Sequence, residues 1–298
     1  MFTPRDQNPP LAIALMLLAT VFIAGTTLLA KALGTGALGP ELHPLQISQG
    51  RFLFAFLAIA SFAAVRRYRL HAPHWRLHVA RTVLGWGGVS LMFAAVAFIP
   101  LSDATAISFL NPVFAMLFAI LFLGERVGAV RWSAAAIAFA GALILLRPGP
   151  DSFQPAALIA LAAALVMGGE ITCIKRLSGR EPVLQILLIN NSLGMAVATL
   201  AVLPFWQPPE PLQWAALAGI GFIMLSAQLC YVNAMARADA SLVVPFSYAT
   251  LIFAGLYDLA VFGVVPDSVS VAGALVIVAG GALLAWREGR KAPGPLRP

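Results

Sequence analysis

The chain has 298 residues, of which 60% are hydrophobic and only 10% charged, with a mean hydropathy of +0.89 and a formal net charge of +7. Soluble domains carry roughly 25% charged residues, so this chain cannot cover a water-facing surface of ordinary size and reads as an integral membrane protein. No Gly-rich loop ending in Gly-Lys-Ser/Thr is present, which excludes an ATP-driven motor on this chain, and two cysteines inside apolar segments, Cys173 and Cys230, imply neither a disulfide framework nor a metal site.

A helix needs about 20 mostly apolar residues to cross the hydrocarbon core. Ten such spans are predicted, at 11–32, 43–65, 76–99, 103–123, 130–146, 156–176, 182–204, 213–236, 240–262 and 269–286, joined by short connections punctuated with Pro and Gly. The second span opens with a polar turn, Gln46, Ser48, Gln49 and Arg51, which must face protein or a wet cavity rather than lipid. The third places Trp86 one turn after Thr82, among Gly85, Gly87 and Gly88. The fourth carries Thr105, Ser108 and Asn111 on one helical stripe, followed by Pro112. Small residues dominate the fifth span (Ala134, Ala138, Ala142) and recur in the tenth (Gly273, Gly280), as close helix packing requires. The sixth holds Glu170, and the eighth has Gln228 and Tyr231 on one face. The ninth holds Val244, Pro245, Ser247, Tyr248, Thr250 and, toward its end, Asp258.

A shift of 139 positions superposes much of the second half on the first: Trp75 on Trp214, Ser108 on Ser247, Gly124 on Gly263 and Gly141 on Gly280. Residues 1–148 and 149–298 then form two repeats of five spans. An odd number of spans per repeat inverts the second copy, an architecture of secondary transporters that rock around a central site. With the N-terminus inside, most Lys and Arg fall on the cytoplasmic side, including Arg66, Arg67, Arg69, Arg76, Arg81, Arg126, Arg131, Lys175 and Arg176, whereas the outer loops carry Glu41, Asp103, Asp151, Glu210 and Asp267. This places both termini in the cytoplasm and the protein in a cell inner (plasma) membrane. The basic segments suit anionic lipid rather than nucleic acid.

The segment Ile99 to Phe114, with Phe122-Leu-Gly-Glu-Arg126, Gly50-Arg51-Phe52-Leu53 and the Gly-rich Ala140-Gly141-Ala142 and Ala279-Gly280-Gly281, resembles the EamA-type drug/metabolite transporter superfamily, most like its aromatic amino-acid exporter branch. The resemblance implies ten helices in two inverted repeats, no cofactor, and export of amino acids or related small metabolites. Nucleosides, sugars or cationic drugs are the alternative cargo. One departure stands out: where many relatives carry Trp followed by Asn or Tyr in spans one and six, this chain has Ile23-Ala24-Gly25-Thr26 and Met167-Gly168-Gly169-Glu170.

Ionisable residues inside a membrane are functional candidates because they are costly there. Glu170 is read either as a partner for a substrate ammonium or proton, or as a carboxyl bonded to a neighbouring helix. Arg51 either clamps a substrate carboxylate or pairs with Glu41 or Asp103, and Asp258 either couples or gates, or pairs with Lys31 or Arg147. Trp86, Ser108, Asn111, Gln228, Tyr231, Ser247 and Tyr248 are the uncharged candidates for substrate binding, and Pro112 and Pro245 for helix bending. All four histidines (His43, His71, His74, His78) fall at loops or span ends, so an intramembrane enzyme is not expected. The partners expected are a small-molecule substrate and membrane lipid, with the protein a monomer or a homodimer.

Overall fold

The computed structural model describes residues 7–96, 104, 107–147, 149, 157–263 and 265–289; Asp103, Thr105 and Asp151 lie outside them. The described helices are α1 (Pro9–Gly34), α2 (Pro44–Val65), α3 (Trp75–Val96), α4 (Asn111–Leu123), α5 (Ala129–Leu146), α6 (Ala157–Ser178), α7 (Val183–Val202), α8 (Pro211–Met235), α9 (Ala240–Val243), α10 (Ala249–Phe262) and α11 (Ser268–Gly289). A 3₁₀ segment, Val244–Tyr248, joins α9 to α10. No strand occurs among the described residues.

Proline starts several of these helices, because its missing N–H is no loss in a first turn. Asn8 caps α1 by accepting from the Leu11 amide, and Glu210 with Gln213 forms a capping box on α8. Pro112 stands in the first turn of α4 and Pro245 in the 3₁₀ segment, so both mark breaks in helices that the apolar pattern alone would draw as continuous. Gly124 and Gly263 end α4 and α10 with φ of 68° and 67°, a left-handed cap that favours glycine. That shared geometry explains their match in sequence.

Among the described residues, seven segments are long and apolar enough to cross a membrane: α1, α2, α6, Val183–Phe205, α8, Ala240–Val261 and Ser268–Arg287. Two shorter apolar helices, Asn111–Leu123 and Ala129–Ile144, accompany them. The expected count was ten. The helix α3 has the length, but Arg76, His78 and Arg81 dilute its first half, and the start of the expected fourth span falls among undescribed residues. Large apolar side chains such as Phe62, Leu121, Leu158, Leu200 and Leu275 are exposed on the outside of the helices, a surface suited to lipid rather than water.

The helices pack in pairs: α1 with α8, α3 with α6, α4 with α6, α1 with α10, α2 with α7 and with α8, and α5 with α11. The α5–α11 contact is close and reciprocal. A Cβ on Gly141 would lie 2.7 Å from the Ile277 amide nitrogen and 2.8 Å from the Gly273 carbonyl oxygen; one on Gly280 would lie 2.8 Å from the Ala138 nitrogen and 2.9 Å from the Ala134 oxygen. Small residues let these backbones touch. Tyr248 is fully buried, stacks on Phe109 at 5.7 Å and donates its hydroxyl to the Phe109 carbonyl at 2.8 Å. Those two residues are 139 apart in sequence.

Candidate functional site

A cavity of about 170 Å³ opens between α2, α3, α6, α7 and α8. Its wall holds Ser48, Arg51 and Phe52 from α2; Arg81, Thr82, Gly85, Trp86, Val89 and Ser90 from α3; Glu170 from α6; Asn190 and Gly194 from α7; and Gln228 from α8. Arg51, Trp86, Glu170 and Gln228 were all singled out by sequence, and they meet here. They come together because a polar group in an apolar helix must turn toward protein or water. Helical periodicity also puts Arg81 and Gly85, and Thr82 and Trp86, on one face of α3.

Charge sits at one end of this wall. Arg81 Nε lies 3.8 Å from Glu170 Oε1, and Arg81 is 3% exposed whereas the Glu170 side chain is 28% exposed. Arg51 lines the same wall as Glu170, and its guanidinium lies 4.1 Å from the Phe52 ring centroid. Gly85 leaves the Glu170 carboxyl its place, since a Cβ there would come within 3.0–3.2 Å of it. Amides line the side toward α7 and α8, Asn190 and Gln228; behind them the buried Asn191 donates to Gln228 Oε1 at 3.0 Å and to the Leu187 carbonyl at 2.8 Å. Tyr231 is close enough to Glu170 and Arg81 to feel both charges, but it packs into the apolar clusters and is not on the wall.

The remaining sequence candidates lie elsewhere. Ser108 and Asn111 flank the start of α4, where Asn111 donates to the Ser108 carbonyl at 2.9 Å. Ser247 and Tyr248 belong to the 3₁₀ segment, and Pro245 borders a separate apolar pocket between α1 and α11. None of these, nor Pro112, is on the wall of the charged cavity. Asp258 pairs with Lys31 at 2.8 Å, one of the partners expected for it, and joins α10 to α1. Among the described residues no ion pair joins Arg51 to Glu41, and Asp103, the other partner expected for it, lies outside them.

The sequence reading missed two features. One is Arg81, which it placed with the basic residues of the membrane edge; its spacing of one turn from Gly85 is the signal that puts it beside Glu170. The other is a set of bridges at the far end of α6. Glu181 accepts from the His74 amide at 2.6 Å, from His74 Nδ1 at 2.8 Å, from His78 Nε2 at 2.9 Å and from Gln185 at 2.8 Å. Burial alone would push the Glu181 carboxyl up, but these donors together hold it below the ordinary glutamate value. Nearby, Glu125 accepts from the Ala240 and Ser241 amides, Arg131 pairs with Asp239 at 3.0 Å, and Lys175 donates to the Met235 carbonyl at 2.8 Å.

A polar, partly charged cavity inside a helical protein with a lipid-suited exterior is what a carrier of small molecules requires. The comparisons with known proteins agree. The S-adenosylmethionine uptake transporter of Rickettsia bellii is 24% identical over 90% of this chain and 91% of its own length. The riboflavin transporter of Vibrio cholerae serotype O1 is 33% identical, the match covering 76% of each chain. A crystal structure 20% identical in sequence shares the fold, with a TM-score of 0.78 over 96% of this chain and 100% of that one. The EamA-like transporter family model matches twice, over residues 10–147 and 154–286, so this multi-pass membrane protein, a transporter and not an enzyme, belongs to the EamA-like transporter family.

Proposed function

We propose that the protein is a secondary transporter, working by alternating access, for amino acids or related small metabolites, with the Arg51–Arg81–Trp86–Glu170–Gln228 cavity as its transport site. The observation that carries this reading is the gathering of opposite charges, an indole ring and amides in one cavity of an otherwise apolar helical protein. A carboxylate suits the arginines, an ammonium suits Glu170, and a side chain suits Trp86 and Phe52.

The halves 1–148 and 149–298 act as two inverted five-helix repeats, with both termini cytoplasmic, in a bacterial inner membrane. The double family match, the paired glycine caps and the reciprocal Gly141 and Gly280 contacts support the repeat. The cavity runs from Arg81 and Glu170 toward Leu45 and Ser48 at the start of α2 and Ser90 late in α3, which is the outer end under this orientation. The opposite end is closed by bridges between the halves, His74 and His78 to Glu181, Glu125 to Ala240 and Ser241, and Arg131 to Asp239. Rocking inward has to break that set. With no ATP motif on the chain, transport follows the substrate gradient or borrows an ion gradient.

Riboflavin is the second reading, favoured by the relative at 33% identity. Flux of radiolabelled phenylalanine, tryptophan and riboflavin in proteoliposomes, with and without a pH gradient, separates the two. Saturable amino-acid flux lost in Glu170→Gln supports the first reading; saturable riboflavin flux alone replaces it with the second; no saturable flux of either sinks both.

A further inference from the structure

We propose that the cavity selects ligands of net negative charge, anchored by a carboxylate or phosphate on Arg81. The inference rests on reading this cavity as the transport site. It narrows that reading: among amino acids and related small metabolites, those with a net negative charge are preferred over zwitterions such as phenylalanine.

Arg81 is the buried end of the cavity. Its Nε and Nη1 are shielded from solvent and make no hydrogen bond, and its nearest carboxylate oxygen stands at 3.8 Å, beyond hydrogen-bond distance. Arg51 lines the same cavity, and among the described residues Glu170 is the one carboxylate on its wall. Two positive groups therefore share this wall with one negative group, and Arg81, at 3% exposure, lies away from the water that would screen it. Burying a charge without a full partner is costly, and the cost falls when a counter-charge arrives with the ligand.

The charge of the ligand then decides the outcome. An anion completes the set by offering paired oxygens to the planar Arg81 fork. A zwitterion satisfies Arg81 and Glu170 but leaves the surplus of Arg51. A neutral ligand leaves Arg81 without its hydrogen bonds, and a cation adds to the excess. Trp86 and Phe52 receive the apolar body in each case, so ligands with the same body and different charge isolate this effect.

The test uses the full-length protein in nanodiscs and isothermal titration. One series keeps a phenyl ring and changes the charge: 3-phenylpropionate, phenylalanine and phenethylamine. A second pair keeps the flavin ring: riboflavin phosphate ester against riboflavin. The anion of each set is expected to bind at least about tenfold more tightly than its uncharged or zwitterionic counterpart, the usual scale for a charged hydrogen bond, with phenethylamine weakest. Arg81→Gln is expected to flatten both orders and Arg81→Lys to keep them in weakened form. The wild-type series decides the matter even if Arg81→Gln does not fold. Equal affinity across charge, tighter binding of phenethylamine, no binding by either anion, or an order that survives in Arg81→Gln overturns the proposal. Saturable transport without a charge order defeats this inference alone; a charge order without flux of any ligand defeats the transport reading alone.

Discussion

Replacing Glu181 by alanine tests how the closed end of the molecule is held. The carboxylate takes four hydrogen bonds, but they are not of equal weight. His74 is 44% exposed on its side chain, so water replaces much of what it loses. His78 and Gln185 are buried, so one N–H of each is left without a partner, while Gln185 keeps its bond to the His71 carbonyl. Each buried unpaired donor costs about 1–3 kcal/mol, which puts the loss at roughly 2–6 kcal/mol. His78 Nδ1 is also buried without a partner, which fits a neutral ring carrying its proton on Nε2 toward Glu181. Thermal unfolding of the purified protein in detergent should show a melting temperature lowered by at least about 5 °C, with Glu181→Gln intermediate because it keeps one acceptor oxygen. The pH dependence has a definite sign. The folded-state carboxyl lies below its ordinary value, so its contribution is full above about pH 4.3 and is lost as the pH falls through the folded value. The gap between wild type and Glu181→Gln should therefore shrink on acidification. A Glu181→Ala melting temperature within about 1 °C of wild type, or a gap that widens toward acid, refutes the reasoning.

Two further predictions concern the packing that carries the cavity. Gly141→Ala and Gly280→Ala each push a Cβ against the backbone of the partner helix and are expected to cost about 1–3 kcal/mol. Gly255→Ala meets nothing within 4 Å and should be neutral or stabilising by up to about 1 kcal/mol, so the three melting temperatures should separate. Tyr248→Phe keeps the ring stack but strands the Phe109 carbonyl, and it should lower stability by about 1–3 kcal/mol in the same assay.

How legible each part was in the sequence follows from its physics. Glycine matches at a constant shift were readable because each one answers a local demand: a left-handed cap at Gly124 and Gly263, a backbone contact at Gly141 and Gly280. Arg51, Trp86, Glu170 and Gln228 were readable because polar atoms in an apolar helix have few places to go. The stripe of Ser108 and Asn111 pointed toward a cavity; in the structure Asn111 donates to the Ser108 carbonyl at the start of α4, and neither residue is on the wall of the charged cavity. Sequence spacing does not separate those roles, because a helix start and a cavity wall both call for short polar side chains. Arg81 was obscured by its neighbours: a basic cluster near a span end looks like a membrane edge, and only the partner helix shows that this arginine turns inward. The Glu181 bridges were out of reach because their partners are more than 100 residues away.

A strict duplication would place matching residues at corresponding positions of the two halves, and the described residues show where that match is lost around the cavity. Under the proposed shift of 139, Arg81 and Trp86 correspond to Ile220 and Leu225. Both are buried in apolar clusters, Ile220 at 2% exposure and Leu225 at 9%. Glu170 corresponds to Lys31, which pairs with Asp258, and Arg51 to Asn190, which lies on the wall of the same cavity as Arg51. Apolar packing occupies the positions that correspond to Arg81 and Trp86, so that part of the charged wall is not repeated under this shift. Under the proposed repeat, the shared glycines supply the frame of both halves, while the unshared residues, Arg81 above all, set the charge of the cavity. Restoring the symmetry at this position, with Arg81→Ile, should leave the frame and remove the charge selectivity together with the site's surplus positive charge.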